Sequence, residues 1–278
     1  MKILIIGSSG LLGTALTMKC AERGIPFVGT THEDLEITHR EELESWVSTS
    51  GCDTVINTAA MVGINQCEHY PVTAFKVNTV APANLAHICR RQGITLVQIS
   101  THTVFDGRSS DPYTEFSVPN PLNIYGASKY AAECLVRNIC PRHYIVRLPT
   151  LFGPRRNSRP GFSDKVLQWI AEGKALRIAD DKIDSPSYTL DVADALLLAL
   201  RTGGRGNYHI ANAGAVSFYD FVLEIVRILG ARVEVQRAKD WEFQPLAQNP
   251  LKTAMASVYL PPLRGWTEAL EEYLRSAR

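Results

Sequence analysis

The stretch IIGSSGLLGTAL, residues 5–16, joins the end of an apolar run to three glycines and the start of a helical pattern. Gly7, Gly10 and Gly13 are spaced three residues apart, and this order predicts a strand, a tight turn and a helix. In such a turn Gly7 permits the sharp reversal, Gly10 lets a pyrophosphate reach the backbone, and Gly13 allows the helix to pack closely on the strand. The phosphates would lie at the helix N-terminus, so the stretch predicts a dinucleotide site, with GxxGxxG spacing in place of GxGxxG.

Short apolar runs alternate with longer segments of helical period on the C-terminal side of this stretch. The apolar runs are KILIIG (2–7), IPFVGTT (25–31), DTVINTAA (53–60), TLVQIST (95–101) and HYIVRLP (143–149). Continuous apolar strands joined by helices are typical of a parallel sheet that is covered on both faces. The pattern therefore predicts an α/β fold with a doubly wound parallel sheet (Rossmann), whose ligands bind at the carboxyl ends of the strands.

The strongest change of composition is the segment FGPRRNSRPG, residues 152–161, which is rich in Arg, Pro and Gly. We expect the chain to leave the sheet there and to build a smaller, mainly C-terminal lobe for the substrate. Residues 1–150 and 185–210 are assigned to the dinucleotide-binding Rossmann domain. Residues 151–184 and 211–278 are assigned to the substrate-binding lobe.

The overall composition excludes several classes of partner. The 278 residues are 45% hydrophobic, and 29 basic side chains balance 28 acidic ones without a block of like charge, so neither nucleic acid nor a membrane is an expected partner. The six cysteines contain no CxxC pair, which argues against a disulfide framework and against a metal site. The N-terminal apolar run is too short for a signal peptide, so a cytoplasmic protein with a small-molecule ligand is expected.

The end of the second apolar run bears on the choice of cofactor. An NAD site commonly has a carboxylate there to accept from the adenosine ribose, but this chain has Thr30, Thr31 and His32. The threonine hydroxyls and the imidazole could donate to a 2′-phosphate, so NADP(H) is favoured over NAD(H) as the cofactor. Glu33 and Asp34 follow directly, and they are interpreted as a solvated helix N-terminal region.

Tyr125 and Lys129 form a YxxxK pair within NIYGASKYAAE. On a helix this spacing puts the phenol and the ammonium on one face, about one turn apart. Nearby positive charge is expected to lower the pKa of the phenol and to make it a working proton donor near neutrality. A hydroxyl at the end of the preceding strand would polarise the reacting oxygen, and either Ser100 or Thr101 could supply it.

The motifs that complete the pattern are GSSGLLG, DLEIT, INTAAMVGINQCE, ISTHTVFDG, NIYGASKYAAE and VRLPTLFG. With these motifs the chain resembles the extended short-chain dehydrogenase/reductases over nearly its whole length. Within them it is most similar to the dTDP-4-dehydrorhamnose reductase-like, sugar-nucleotide-binding group. The resemblance implies an NAD(P)H-dependent reduction of the keto group of a nucleotide-linked 4-keto-6-deoxy-sugar.

The resemblance also implies roles for individual residues. Thr101 would polarise the carbonyl, Tyr125 would donate the proton, and Lys129 would tune the phenol. The residues implied for cofactor binding are Gly7, Ser9, Gly10, Leu11, Leu12, Thr31, Glu36, Ile37, Ala59, Ala60, Met61, Asn78, Tyr125 and Lys129. Those implied for substrate binding are Val62, Thr101, His102, Thr103, Tyr125 and Thr150. No metal is expected, and a homodimer is the expected assembly.

The chain departs from the family pattern at several positions near the expected sugar. The usual STDYVF reads STHTVF here, so His102 and Thr103 replace an aspartate and a tyrosine. His102 is either a second acid beside the sugar or a side chain that satisfies a backbone carbonyl. In RLPTLFG, Thr150 replaces a pocket tryptophan, and this version resembles the regulatory β subunit of methionine adenosyltransferase. A non-catalytic nucleotide-binding subunit and an NDP-sugar epimerase are therefore the alternative functions.

Overall fold

The computed structural model describes residues 1–157, 159–202 and 204–276. The strands in these ranges are β1 (Ile3–Ile6), β2 (Phe27–Thr30), β3 (Thr54–Asn57), β4 (Thr95–Thr101), β5 (His143–Leu148), β6 (Leu151–Phe152), β7 (Leu176–Ala179), β8 (Ile183–Asp184), β9 (Ser187–Tyr188), β10 (Gly206–His209), β11 (Val216–Ser217) and β12 (Val235–Ala238). The α-helices are α1 (Leu11–Glu22), α2 (Arg40–Ser50), α3 (Ile64–His69), α4 (Pro71–Phe75), α5 (Ala81–Gln92), α6 (Ile124–Ile139), α7 (Phe162–Ala171), α8 (Thr189–Thr202), α9 (Phe218–Leu229) and α10 (Trp266–Ser276). Short 3₁₀ turns cover His102–Val104 and Asp240–Phe243.

A six-stranded parallel sheet organises the molecule, in the order β10-β5-β4-β3-β1-β2. β1 pairs with β2 on one side and with β3 on the other, so the chain winds in opposite directions from β1. The carboxyl ends of β1, β3 and β4 therefore meet at the topological switch point, where ligands bind in such sheets. The predicted doubly wound α/β fold is confirmed.

Both faces of the sheet are buried, as the apolar strands predict. Ile3 and Ile5 of β1 belong to a core that is shared with α1 and α8. Leu4 and Ile6 of the same strand belong to a second core, shared with α2 and α5. Full burial of one such side chain contributes about 1.5–3 kcal/mol relative to leaving it exposed, so an unbroken apolar strand is stable only between two helical layers.

A third core lies outside the sheet. It joins Phe152 and Tyr188 to side chains of α7, α9 and α10. Small strand pairs accompany it, with β7 parallel to β12 and β8 antiparallel to β11. The Arg-rich segment after β6 returns to the glycine-rich turn, because the backbone N–H groups of Arg156 and Asn157 donate to the carbonyl of Ser9 over 3.2 and 3.0 Å.

The helical segment between β3 and β4 is not regular. A π-helical turn, Lys76–Val80, joins α4 to α5, and Asn78 lies at its centre. Single π turns within α-helices occur frequently at functional sites. Across the described ranges, every helix is too short or too polar to cross a lipid bilayer.

Candidate active site

The glycine-rich turn after β1 leaves the start of α1 open. Gly7 has a φ of 85°, which favours glycine, and Gly10 is the N-cap residue and has no side chain to cover the first N–H groups of the helix. A Cβ atom on Gly13 would lie 2.1 Å from the carbonyl oxygen of Gly7, so this position must be glycine for α1 to pack on the turn. A Cβ on Gly10 would make a tight contact of 3.3 Å with that oxygen and would lie 3.9 Å from Nδ2 of Asn157, so it demands a much smaller shift than a Cβ on Gly13. This geometry suits a pyrophosphate.

These two glycines should respond differently to substitution. We expect Gly10→Val to fold and to lose about 10- to 100-fold in affinity for NADPH and NADH, because its side chain would occupy the space of the phosphates. Gly13→Ala should instead lower the free energy of unfolding by about 1–3 kcal/mol or more, because it forces helix and turn apart. Calorimetric titration and thermal unfolding measure the two effects. A folded Gly10→Val variant with wild-type affinity would show that the turn has no part in nucleotide binding.

The tip of β2 carries a carboxylate that the sequence did not single out as a cofactor contact. The backbone N–H and the hydroxyl of Thr31 both donate to Oδ2 of Asp34, each over 2.8 Å. The backbone hydrogen bond from Thr31 is the main cause of a lowered pKa for Asp34, so this exposed group is charged near neutrality. Asp34 therefore caps the strand end, and the Thr31 hydroxyl that was expected to donate to a 2′-phosphate already has an acceptor. Glu36 and Ile37 lie just beyond.

The cofactor edge formed by Ala59, Ala60 and Met61 follows β3, and Asn78 holds it in place. The side-chain amide of Asn78 accepts from the N–H of Met61 and donates to its carbonyl, both over 2.9 Å. The same amide donates to the hydroxyl of Ser128 on α6 over 3.1 Å. Asn78 is 1% exposed, so it acts on the cofactor edge through Met61 and not through a free side chain.

The start of helix α6 is fixed by two side chains. Asn123 accepts a hydrogen bond from the N–H of Gly126 over 2.9 Å, which is a standard N-cap. Glu68, which lies 56 residues earlier on α3, accepts from the N–H of Ile124 over 2.7 Å. Together they set the position of Tyr125 in the first turn. Only tertiary packing brings Glu68 to this helix, so no local spacing could reveal its role.

The structure selects between the two hydroxyls at the end of β4. Ser100 donates to the buried carboxylate of Glu133, in the middle of α6, over 2.5 Å, so its hydroxyl already has a partner. Thr101 lies beside the start of the same helix, close enough to Tyr125 for its hydroxyl to lower the pKa of the phenol. Thr101 and Tyr125 are thus brought together at the carboxyl end of the sheet.

The electrostatics of this pair differ from the expectation. Burial raises the pKa of Tyr125 to about 12, and the hydrogen bond from Thr101 only partly opposes it. The ammonium of Lys129 donates to the backbone carbonyl of Ile99 over 2.7 Å, and burial lowers the pKa of Lys129 to about 8. The expected lowering of the phenol pKa by Lys129 is therefore wrong for this structure, because desolvation dominates and the ammonium is committed to a main-chain oxygen. The phenol stays protonated near neutrality and can act as an acid.

The substrate side contains a histidine and a buried aspartate. Nδ1 of His102 lies 3.4 Å from Oδ2 of Asp184 and makes no hydrogen bond there. The same Oδ2 accepts from the backbone N–H of Thr150 over 2.8 Å. Burial lowers the pKa of His102, so the imidazole is neutral near neutrality. The interpretation that His102 satisfies a backbone carbonyl is wrong, because its buried nitrogen faces a carboxylate. Val62, which was also predicted to bind the substrate, is exposed.

A buried ion pair connects α6, the helix that carries Tyr125, with β5. Glu133 and Arg147 are 0% and 1% exposed, and the guanidinium donates to both carboxylate oxygens, with Nε 3.0 Å from Oε1 and Nη2 2.7 Å from Oε2. Nη1 of Arg147 also lies 3.4 Å from Nε2 of His209, whose pKa burial lowers to about 4. The pair fastens α6 to β5. Sequence reasoning missed it, although a lone arginine within the apolar run HYIVRLP was a usable signal.

The C-terminal part of the chain covers one side of the cleft. The N–H of Leu246 donates to the side chain of Asn65 on α3 over 3.1 Å, and the N-cap side chain of Asn123 donates to the carbonyl of Gln248 over 3.1 Å. These bonds hold the segment after the Asp240–Phe243 turn against the start of α6. The described ranges contain no cluster of three or more His, Cys, Asp or Glu side chains that could hold a metal ion.

The chain is similar to known proteins both in sequence and in fold. The family model described as the RmlD substrate binding domain matches residues 1–278. The chain belongs to this family. It is 32% identical over 276 residues to the dTDP-4-keto-6-deoxy-D-glucose reductase of Streptomyces niveus, a match that covers 97% of this chain and 95% of the relative.

Two solved structures resemble this RmlD-family chain over almost its whole length. The crystal structure of a dTDP-4-dehydrorhamnose reductase from Clostridium acetobutylicum superimposes with a TM-score of 0.93 at 30% identity, covering 100% of this chain and 99% of the other. The Bacillus anthracis dTDP-4-dehydrorhamnose reductase in complex with NADP gives a TM-score of 0.93 at 27% identity, with 99% of each chain covered. The RmlD-family fold thus extends over both the sheet and the third core.

Proposed function

We propose that this RmlD-family chain reduces the keto group of a nucleotide-linked 4-keto-6-deoxy-sugar with NAD(P)H. The observation that carries the proposal is the position of Thr101, at the carboxyl end of β4, beside Tyr125 at the start of α6, with Lys129 one helical turn further along that helix. The reductases of Streptomyces niveus and Clostridium acetobutylicum support the same reaction class by their similarity over the full chain.

The residues present fit a dinucleotide, because Gly10 at the N-cap of α1 has no side chain and Ala59 lies next to Gly7 in the same turn. A bound reduced nicotinamide supplies the hydride. Tyr125 donates its proton to the carbonyl oxygen, and Thr101 donates a hydrogen bond to the same oxygen, stabilising the charge that develops there. Lys129, held on the backbone carbonyl of Ile99 one helical turn from Tyr125, would contact the bound cofactor.

We propose NADP(H) as the favoured cofactor, in agreement with the NADP found in the Bacillus anthracis relative. Asp34 is the feature of this chain that opposes a 2′-phosphate, because its carboxylate is bound to Thr31 at the tip of β2. The preference for NADP(H) over NAD(H) therefore depends on how strongly the groups around the 2′-phosphate offset the exposed negative charge of Asp34.

Removing that charge should shift the preference. We expect Asp34→Asn to raise the ratio of kcat/KM for NADPH over NADH by about two- to five-fold, the range typical of one exposed charge. Initial rates with each cofactor measure the ratio. Glu33→Gln makes the same change of charge one residue away, where the side chain does not contact Thr31, and serves as the matched control. An unchanged ratio in Asp34→Asn would remove Asp34 from the specificity site.

The activity itself is tested with a panel of NDP-4-keto-6-deoxy-sugars, following the oxidation of NADPH and NADH. We expect net cofactor oxidation with at least one of these sugars and a hydroxyl at the former keto carbon. Cofactor binding without reduction of any sugar would favour the alternative of a non-catalytic nucleotide-binding subunit. Interconversion of sugars without net consumption of cofactor would favour an NDP-sugar epimerase.

The proposal also assigns a separate binding role to each of the two lobes. Residues 1–150 and 185–210 would bind the dinucleotide, since they contain all six strands of the sheet. Residues 151–184 and 211–278 would bind the sugar nucleotide, since they build most of the third core beside the cleft. A homodimer in the cytoplasm stays a prediction.

A further inference from the structure

Thr103 lies in the 3₁₀ turn directly after β4, where the family resemblance implies a substrate contact. The structure turns its hydroxyl the other way. The Oγ1 atoms of Thr101 and Thr103 are 3.0 Å apart, and the backbone N–H of Thr103 donates to Oγ1 of Thr101 over 3.1 Å. Thr103 is 4% exposed, so this hydroxyl contact is sheltered from water.

Counting donors and acceptors shows what Thr103 does. A threonine hydroxyl has one proton and two lone pairs. The N–H of Thr103 takes one lone pair of the Thr101 oxygen. When the Thr103 hydroxyl donates to the second lone pair, the only hydrogen-bonding capacity left to Thr101 is its proton, which is then available to an acceptor beside it, either the phenol oxygen of Tyr125 or a substrate carbonyl. Without that donor, the free lone pair would accept the phenolic proton and draw it away from the substrate.

We infer that Thr103 is a positioning residue that makes the Thr101 hydroxyl a hydrogen-bond donor, whose one proton serves the oxygen of Tyr125 before substrate binds and the reacting carbonyl afterwards. The inference rests on the proposed reductase function and deepens it. It also explains how a chain that has threonine where relatives have tyrosine still gains from a hydroxyl at this position.

The other groups around the phenol cannot supply the same hydrogen bond. Cys67 of α3 lies close enough to act on Tyr125, but burial raises the pKa of its thiol to about 11, so it is neutral. Lys129 donates to the carbonyl of Ile99. Thr101 is therefore the nearby hydroxyl that lowers the pKa of the Tyr125 phenol.

Substitution at Thr103 tests the inference. We expect Thr103→Val, which keeps the shape and removes the hydroxyl, to lower kcat about ten-fold with KM and cofactor affinity unchanged. A phenolate that has lost a donor is less stable, so the limb of the pH–kcat profile that reports Tyr125 should move to higher pH. Thr103→Ser retains the hydroxyl and should restore both the rate and the limb.

A control and a second readout keep the test decisive. Thr54→Val makes the same change at a buried threonine that bonds only to Asp53 at the far end of β3, and it should leave the pH limb in place. NMR titration of carbon-labelled tyrosine, with Tyr125→Phe to identify the signal, reports the phenol without any turnover. A wild-type protein that reduces no keto-sugar would overturn the proposed function, but this titration would still decide the role of Thr103. The inference would be overturned if kcat of Thr103→Val fell equally at every pH while the limb of the pH–kcat profile and the NMR titration of Tyr125 stayed where they are in the wild type.

Discussion

Replacing Tyr125 with phenylalanine should lower turnover by about 100-fold or more and leave the affinity for the cofactor nearly unchanged. The phenol is the proton donor in the proposed reaction, and loss of a positioned acid has effects of this size. The aromatic ring and the start of α6, which is held by Asn123 and Glu68, would remain. Single-turnover rates with a keto-sugar that the wild type reduces, together with calorimetric titration of NADPH, measure the two effects.

Lys129→Met is the variant to compare with Tyr125→Phe. It removes the predicted contact of Lys129 with the cofactor and the hydrogen bond to the carbonyl of Ile99, so turnover and cofactor affinity should both fall. A Tyr125→Phe variant that keeps more than about a tenth of the wild-type rate would assign the proton to another group.

Replacing Arg147 with methionine should lower the free energy of unfolding by about 3–5 kcal/mol, because it leaves the carboxylate of Glu133 buried without its cation. Burying a charge is costly, and the bidentate guanidinium now compensates for it. Chemical denaturation of the wild type and the variant measures the difference.

The matched control is the double variant Glu133→Met with Arg147→Met. With both charges removed, apolar side chains would fill the site, and most of the lost stability should return. If the single and double variants lose the same stability, the ion pair is not what holds α6 to the sheet, and the loss reflects packing alone.

Sequence reasoning succeeded where the signal is local. The glycine turn and the apolar runs predicted the sheet, because strand and helix periods are legible within a few residues. The pairing of Tyr125 with Lys129 was predicted for the same reason. The choice between Ser100 and Thr101 needed the structure, because both positions are polar and only packing shows that Ser100 bonds to the buried Glu133 and that Thr101 lies beside Tyr125.

The supporting contacts were out of reach for a different reason. Glu68 meets the start of α6 across 56 residues, and Asn78 meets Met61 across 17. Such contacts depend on how separate elements pack, and a single sequence carries no record of that. The direction of the Tyr125 pKa shift was missed likewise, since desolvation depends on what surrounds the ring and not on its nearest charged neighbour in the chain.

The π-helical turn at Lys76–Val80 restricts how this chain can change length. Each residue removed from or added to a helix rotates everything on one side of the change by about 100° relative to the other. Deleting one residue from this turn would let α4 and α5 merge into a regular helix, but it would swing the amide of Asn78 away from Met61. Insertions and deletions between β3 and β4 are therefore tolerable in the exposed loop at Val62 and Gly63. A gap placed between α4 and α5, in an alignment or in a chimaera, would separate Met61 from the amide of Asn78 that supports it.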